Sequence, residues 1–533
     1  MANEIREDGF YEMGLTAYEG DEPYIFVSYS HEDVPRVREI MKRIDREKFR
    51  YWYDDTMEVG EDFRIELQTR IERCSAFLLF VSDKSMQSKY CGMEIIVAYK
   101  NNKRIFPVYL DDNTVIPNAL KMILENLQHV KGSSVNKDAK YIDKLISSLP
   151  VETMRCLSIE DGVVVHCKDG SKDIAIPEDV RAIGSGAFKN CENLEILDVG
   201  NTVEAMHTEA FRGCKRLKSL VLPHNIRYVG ESSFRDCTAL TSLIVENDDI
   251  ELGERAFENC ALLSSIQLAN GISEIYGGVF NSCKSLASIT LPDELTVLGE
   301  SSFADCVSLE EIDIPLNVTK IDDMVFNGCL SLRRIDMKDK ITKIGKYAFK
   351  DCKSLESIFL PASVNSIGSG LFRGCANLKV IIVDPKNRYF KSVDNVLFNK
   401  NKSVLLAFSP KQPISSYTIP DSVTEICAWS FCNCTALEEI IIPDSVSEIG
   451  EGAFYQCESL KKIVIPDSVD RIDDTAFRGC VNLEEVVIPD SVTDFGWGVF
   501  NGCDKLRVIC SDKSEAARYC DKKGIPHAQN EKE

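Results

Sequence analysis

Glu94 is the one carboxylate in the run Met93-Glu94-Ile95-Ile96-Val97-Ala98, within the segment Ser88–Lys100. An acid there has a plain reading, a solvated position near the positive end of a helix dipole. It has a sharper one if other polar groups converge on it. Such groups do recur, each time just past a short apolar run. Ser28-Tyr29-Ser30-His31-Glu32-Asp33 closes YIFVS (24–28), and Asp54-Asp55-Thr56-Met57-Glu58-Val59-Gly60 closes RYWYD (50–54). Ser82 to Ser88 follows AFLLFVS (76–82) and leads into the segment that carries Glu94. His31 and Cys91 lack partners spaced for a Cys–His nucleophilic pair. The chain has no G-x-G-x-x-G and no P-loop, so redox use of a dinucleotide and nucleoside triphosphate hydrolysis are unsupported.

The elements that must position these groups are strands and helices in alternation. RIFPVYL (104–110) and the weaker LQHVK (127–131) extend the strand series, with amphipathic stretches such as VPRVREIMKRIDREK and EDFRIELQTRIERC between strands. That alternation predicts a parallel sheet wrapped on both faces by helices. Ligands of such sheets sit beyond the carboxyl ends of the strands, where strand order reverses. The polar clusters fall at those ends, which places Glu94 near the rim of the crevice.

Three motifs then stand in a specific order: F-V-S-Y-S-H-E-D, next Y-W-Y-D-D with G-E-D-F, then F-V-S-x5-S-K-Y-C-G-M-E-I. Together they resemble a TIR (Toll/interleukin-1 receptor) domain of the bacterial type, over about residues 20–150. The resemblance implies a flavodoxin-like five-stranded parallel sheet and places Glu94 at the catalytic acid of TIR domains that cleave NAD+. Ser82 and Ser88 match the two motif serines, Tyr90 stands where the family has Trp, and Phe63 stands where it often has Trp. By the same resemblance Ser28, Tyr29 and Ser30 contact ribose or phosphates, and Phe63 and Tyr90 enclose the rings. The stretch from Asp54 to Gly60 matches the BB loop, which borders the substrate and mediates TIR–TIR self-association. Plain strand-end hydrogen bonding remains the other reading of Ser28 and Ser82, and core packing that of Tyr90. NAD+ is here the substrate, so no resident cofactor and no metal is expected. Because nicotinamide leaves as a neutral molecule, one carboxylate suffices, and Glu94 is expected to be ionised at neutral pH.

The remaining two thirds are periodic. Phe188, Phe211, Phe234, Phe257, Phe280, Phe303, Phe326, Phe349 and Phe372 recur every 23 residues, and the series resumes with Phe431, Phe454, Phe477 and Phe500. A Cys stands three residues after each. A fixed period of this length predicts a solenoid in which each unit buries its apolar side on its neighbours. Within a unit, L-x-x-I-x-I-P reads as a strand, V-x-x-I-G as a second extended piece, and A-F-x-x-C as a short helical turn. The thirteen repeated cysteines lack the C-x-x-C pairing of zinc sites and read as small buried thiols filling the core.

This unit, for example IPDSVSEIGEGAFYQCESLKKIV (443–465), closely resembles the BspA-type leucine-rich repeats. The resulting organisation is a leader (1–19), the TIR domain (20–150), and a linker with an N-terminal cap (151–177). Repeats follow (178–383), then a hairpin-like insertion (384–418), further repeats (419–510), and a C-terminal cap and tail (511–533).

A net charge of −22 disfavours a phosphate backbone as partner, so no nucleic acid binding is expected. No stretch approaches the about 18–20 apolar residues of a membrane span, and the start lacks a signal peptide pattern, so a cytoplasmic location is expected. Two functional classes follow. One is an NAD+ glycohydrolase or ADP-ribose cyclase of bacterial defence signalling, its repeats sensing a protein or glycan ligand or organising assembly. The other is a non-catalytic TIR adaptor, or a host-directed effector, acting through protein binding alone.

Overall fold

The computed structural model describes residues 15, 17–20, 23–47, 49–54, 61–111, 113–124, 127, 139–150, 157–168 and 172–529, the side chains of 61–63, 139–141 and 147 excepted. LQHVK beyond Leu127, the BB-loop stretch beyond Asp54 and the side chain of Phe63 lie outside the described residues. The chain divides into two compact units, Met1–Ser158 and Ile159–Glu533.

In the first unit, β1 (Ile25–Ser28), β2 (Tyr51–Tyr53), β3 (Ala76–Val81) and β4 (Arg104–Tyr109) form one parallel sheet in the order β2-β1-β3-β4. The fifth expected strand falls on the undescribed stretch. All four strands are nearly continuous apolar runs because both faces are covered. On one face Ile25, Val27, Tyr51, Tyr53, Leu78 and Phe80 pack against α1 (Val34–Arg46) and α6 (Ala139–Ser148). On the other, Phe26, Trp52, Phe77, Leu79 and Val81 meet α2 (Glu61–Arg73), α4 (Lys89–Lys100) and α5 (Asn118–Leu124). A five-residue helix, α3 (Asp83–Gln87), links β3 to α4. Residues ahead of 20 pack on this unit: Leu15 is buried in its core, the Tyr53 hydroxyl donates to the Leu15 carbonyl at 2.7 Å, and the Tyr18 amide donates to the Tyr51 carbonyl at 2.8 Å.

The second unit is built of coils that pair in register with the coils before and after. Glu448, Arg471 and Asp494 are successive partners across three parallel strands, each offset by one repeat. Inward positions form ladders. Phe rings stack with centroids 4.5–6.1 Å apart from Phe188 to Phe372, and 5.1–5.5 Å apart from Phe431 to Phe500. From Cys214 to Cys375, and again from Cys457 to Cys503, each repeat thiol donates to the Phe carbonyl of the preceding unit, as Cys329 does to Phe303 at 3.2 Å. The thiols therefore satisfy carbonyls as well as fill space.

The A-F-x-x-C segment is a pair of turns, not a helical turn. The residues two before and two after every repeat Phe have positive φ, for instance Tyr347 (56°) and Asp351 (58°) around Phe349. A helix cannot accommodate two left-handed residues so close together.

The insertion carries an antiparallel hairpin, Val396–Asn399 with Val404–Phe408, joined on its outer side by Phe390–Val393. Phe408 then stacks on Phe431 at 5.0 Å and restarts the aromatic ladder. At the ends, Val163–Cys167 with Leu157–Glu160 closes one edge, and the helix Glu515–Lys523 with the strand His527–Ala528 closes the other. Such caps cover the open strand edges of a solenoid.

Candidate active site

The strand order reverses between β1 and β3, which makes the crevice at their carboxyl ends the favoured ligand position. Ser28 ends β1 and Ser82 follows β3, so the sheet itself sets these two groups. Ser88 caps α4, its hydroxyl accepting from the Cys91 amide at 3.3 Å. That cap fixes where the helix starts and so places Glu94 on the face turned toward the sheet.

Glu94 is 7% exposed, and Ser28 Oγ donates to its Oε2 at 2.5 Å. Burial disfavours the carboxylate and pushes its pKa up to about 7; the Ser28 hydrogen bond works in the opposite direction, and the nearby charge of Asp54 adds to the rise. This corrects the expectation of a fully ionised acid at neutral pH. The sequence could not convey it, because the shift comes from how completely the fold encloses the group.

Tyr29 continues the same edge. Its hydroxyl donates to the Asp54 carbonyl at 3.1 Å, tying the end of β1 to the end of β2, while the Cys91 thiol lies 3.4 Å from the Tyr29 carbonyl. Ser28, Tyr29, Asp54 and Glu94 thus form one connected cluster. Ser30 precedes a single turn, His31–Asp33, without capping it. Tyr90 is 41% exposed, which excludes core packing and leaves its ring on the surface of α4.

Ser82 is engaged elsewhere. It caps α3 in a reciprocal box with Ser85, accepting from the Ser85 amide at 3.0 Å, and donates to Asp33 Oδ2 at 2.5 Å. Its role is the strand-end alternative. Its partner Asp33 was not singled out from the sequence, although it closes the S-Y-S-H-E-D motif. Asp33 is buried and lies 3.4 Å from Arg36, which in turn bonds Asp111 at 2.7 Å and the Leu110 carbonyl at 2.7 Å. That chain of contacts braces the ends of β1, β3 and β4 behind the Ser28–Glu94 pair. Among the described residues, no group of three or more His, Cys, Asp or Glu side chains could hold a metal ion, and no helix is long and apolar enough to cross a membrane.

A family model of the BspA type leucine rich repeat region matches residues 158–287, 273–404 and 406–517, and a TIR domain model matches residues 25–146. Among solved structures, a leucine-rich repeat protein from Bacteroides ovatus is 26% identical, with 69% of this chain and 87% of that one covered at a TM-score of 0.44. A leucine rich cell surface protein from Faecalibacterium prausnitzii is 24% identical, covering 67% and 92% at a TM-score of 0.46. No curated protein matches the chain.

Proposed function

The chain belongs to the BspA-type leucine-rich-repeat family and carries a TIR domain over residues 25–146, and on that premise we propose that it cleaves the nicotinamide–ribose bond of NAD+. The observation that carries this reading is Glu94, a carboxylate enclosed at the strand-order reversal and held by Ser28.

The chemistry needs little else. The C1′–N bond breaks and its electron pair leaves with nicotinamide, which departs neutral and requires no protonation. Positive charge grows on the ribose, and an ionised Glu94 beside it stabilises that charge. Water then adds to C1′ and releases a proton, giving ADP-ribose. Attack by a nitrogen of the adenine instead would give a cyclic product. With a pKa of about 7 in the free site, Glu94 is partly protonated before substrate enters, and the cationic pyridinium draws it toward the ionised form. Tyr29 and Ser30 line the edge where ribose and phosphates would lie, and Tyr90 offers an exposed ring to enclose them. Self-association through the TIR domain would complete the site, and the repeat array would sense a ligand or organise the assembly. A role in bacterial defence and a cytoplasmic location fit this reading.

The test is NAD+ loss, with products resolved by chromatography, for the full chain beside Glu94→Ala at concentrations that allow assembly. We expect turnover in the parent and a fall of about a hundredfold or more in the variant. No turnover from the parent, even when crowded on beads with folding verified, would move the assignment to a non-catalytic TIR scaffold.

A further inference from the structure

The repeats on either side of the insertion differ in charge. Residues 178–383 hold 29 acidic and 21 basic side chains, a net of −8 over 206 residues, whereas residues 419–510 hold 17 and 6, a net of −11 over 92. Half of the whole chain's excess of acid is therefore concentrated in the last four coils.

The same coils carry a contiguous apolar stripe. In each L-x-x-I-x-I strand the residue between the two inward aliphatics points outward. Before the insertion that column is mixed: Asp198, Val221, Ile244, Gln267, Thr290, Asp313, Asp336, Phe359 and Ile382, its apolar members falling in two adjacent pairs broken by polar coils. After it the column reads Thr418, Ile441, Val464, Val487. Thr418 pairs with Ile441 and Val464 with Val487 in parallel register, while the flanking Ile440, Ile442, Ile463 and Ile465 are buried. Ile441 is 48% exposed and Val464 50%.

Three residues beyond each member of the stripe stands an exposed aspartate: Asp421, Asp444, Asp467 and Asp490. These carboxylates are stacked at the coil spacing of about 4.8 Å. Among the described residues none of them is in an ion pair. The lysines of the opposite flank are already committed, Lys461 to Glu438 and Lys462 to Glu485, each at 2.6 Å. Like charges stacked without counter-charge repel one another, so this edge favours a cationic occupant.

We propose that this face of residues 415–510 docks a basic amphipathic α-helix of a partner protein, lying along the coil axis with its apolar side on Ile441, Val464 and Val487. Charge selects the occupant's sign and spacing selects its form. A helix repeats its face about every 5.4 Å, close to the about 4.8 Å between rungs, so it stays nearly in step over three coils. An extended strand repeats its face only about every 6.7 Å and falls out of step at once. Lysines or arginines beside the apolar stripe of the helix then meet the aspartate ladder. This inference is independent of the NAD+ reading.

The experiment uses the full chain and a fluorescent synthetic 18-residue Leu/Lys peptide with leucines on one helical face, read by anisotropy. A peptide of the same composition in scrambled order is the comparator. Ile441→Thr/Val464→Thr keeps β-branched residues on the strands and should weaken binding about tenfold. Asp444→Asn/Asp467→Asn should weaken it about fivefold and flatten its salt dependence. Asp313→Asn/Asp336→Asn, on the earlier coils, should change it less than about twofold. Equal binding of the scrambled peptide, or an equal loss in the Asp313/Asp336 variant, would overturn the proposal in favour of unspecific charge attraction. If peptide binding survives Ile441→Thr/Val464→Thr while sedimentation shows a loss of self-association, the occupant is a second copy and the proposal fails. Thermal unfolding of each variant excludes misfolding as the cause.

Discussion

The sheet domain and the repeat array each contain a residue that local chemistry disfavours, and the two are accommodated in opposite ways. Glu94 is a buried acid held by a single hydroxyl, that of Ser28, and its cost falls at a single place where a cationic ligand could offset it. Thr475 is a β-branched residue at φ 52° with a buried hydroxyl that has no partner among the described residues. Its cost falls in a column that repeats thirteen times, with neighbouring coils on both sides holding it in place. A departure from local preference that is unique and lies at the strand-order reversal is therefore a candidate for function. When it is periodic, it reflects the stacking of the coils.

The largest effect should come from breaking a ladder. Phe326 lies between Phe303 and Phe349, with ring centroids 6.0 and 5.8 Å away, and is fully buried. Phe326→Ala removes both contacts and leaves a cavity worth about 4 kcal/mol. Calorimetry should show the array's transition falling while that of the first 158 residues stays in place. A matched fall in both would mean that the two compact units do not unfold separately, and the contrast between them would lose its basis.

Glu94→Gln probes the other side of the comparison, at about 3 kcal/mol. The folded pKa of about 7 lies above the ordinary value of 4.5, so the native chain holds its proton longer than the unfolded chain does. Stability therefore declines as pH rises from about 4.5 to 7, and the full penalty of about 3 kcal/mol is present above that window. Gln carries no ionisation, so the variant should match the parent near pH 4 and exceed it at pH 8 in denaturant titrations. NAD+ cleavage should fall about a hundredfold in the same protein. Higher stability with lost activity is the signature of a functional departure. A less stable variant at pH 8 would instead mark Glu94 as a structural acid.

What the sequence revealed divides along the same line. The Phe and Cys period was legible because each inward column repeats one residue type, and the TIR resemblance was legible because three motifs stand in fixed order. The Ser82–Asp33 contact was not, since the two residues lie 49 positions apart and meet only when β1 and β3 are neighbours. Nor was the state of Glu94, which depends on enclosure. The left-handed columns also stayed hidden. Glycine would have announced them, but Met324, Tyr347, Trp429 and Thr475 occupy several of the positions. Stacking against adjacent coils imposes that conformation on whatever residue the position holds.

Thr475→Gly tests that last point with the smallest effect. Relief of a left-handed β-branched residue and removal of an unpaired buried hydroxyl should each stabilise by about 1–2 kcal/mol. Added chain entropy in the unfolded state and a small void oppose this by about 1–2 kcal/mol together. The net expectation is a gain of about 1 kcal/mol in denaturant titrations. Gly452 and Gly498 already hold the same place in the adjacent coils, at φ 56° and 64°, so the backbone accepts glycine there. A gain would mean that the array tolerates strain without needing it. A loss would mean that the threonine methyl or hydroxyl contributes at that one coil, and the array, like the Glu94 site, would then hold positions whose role is individual.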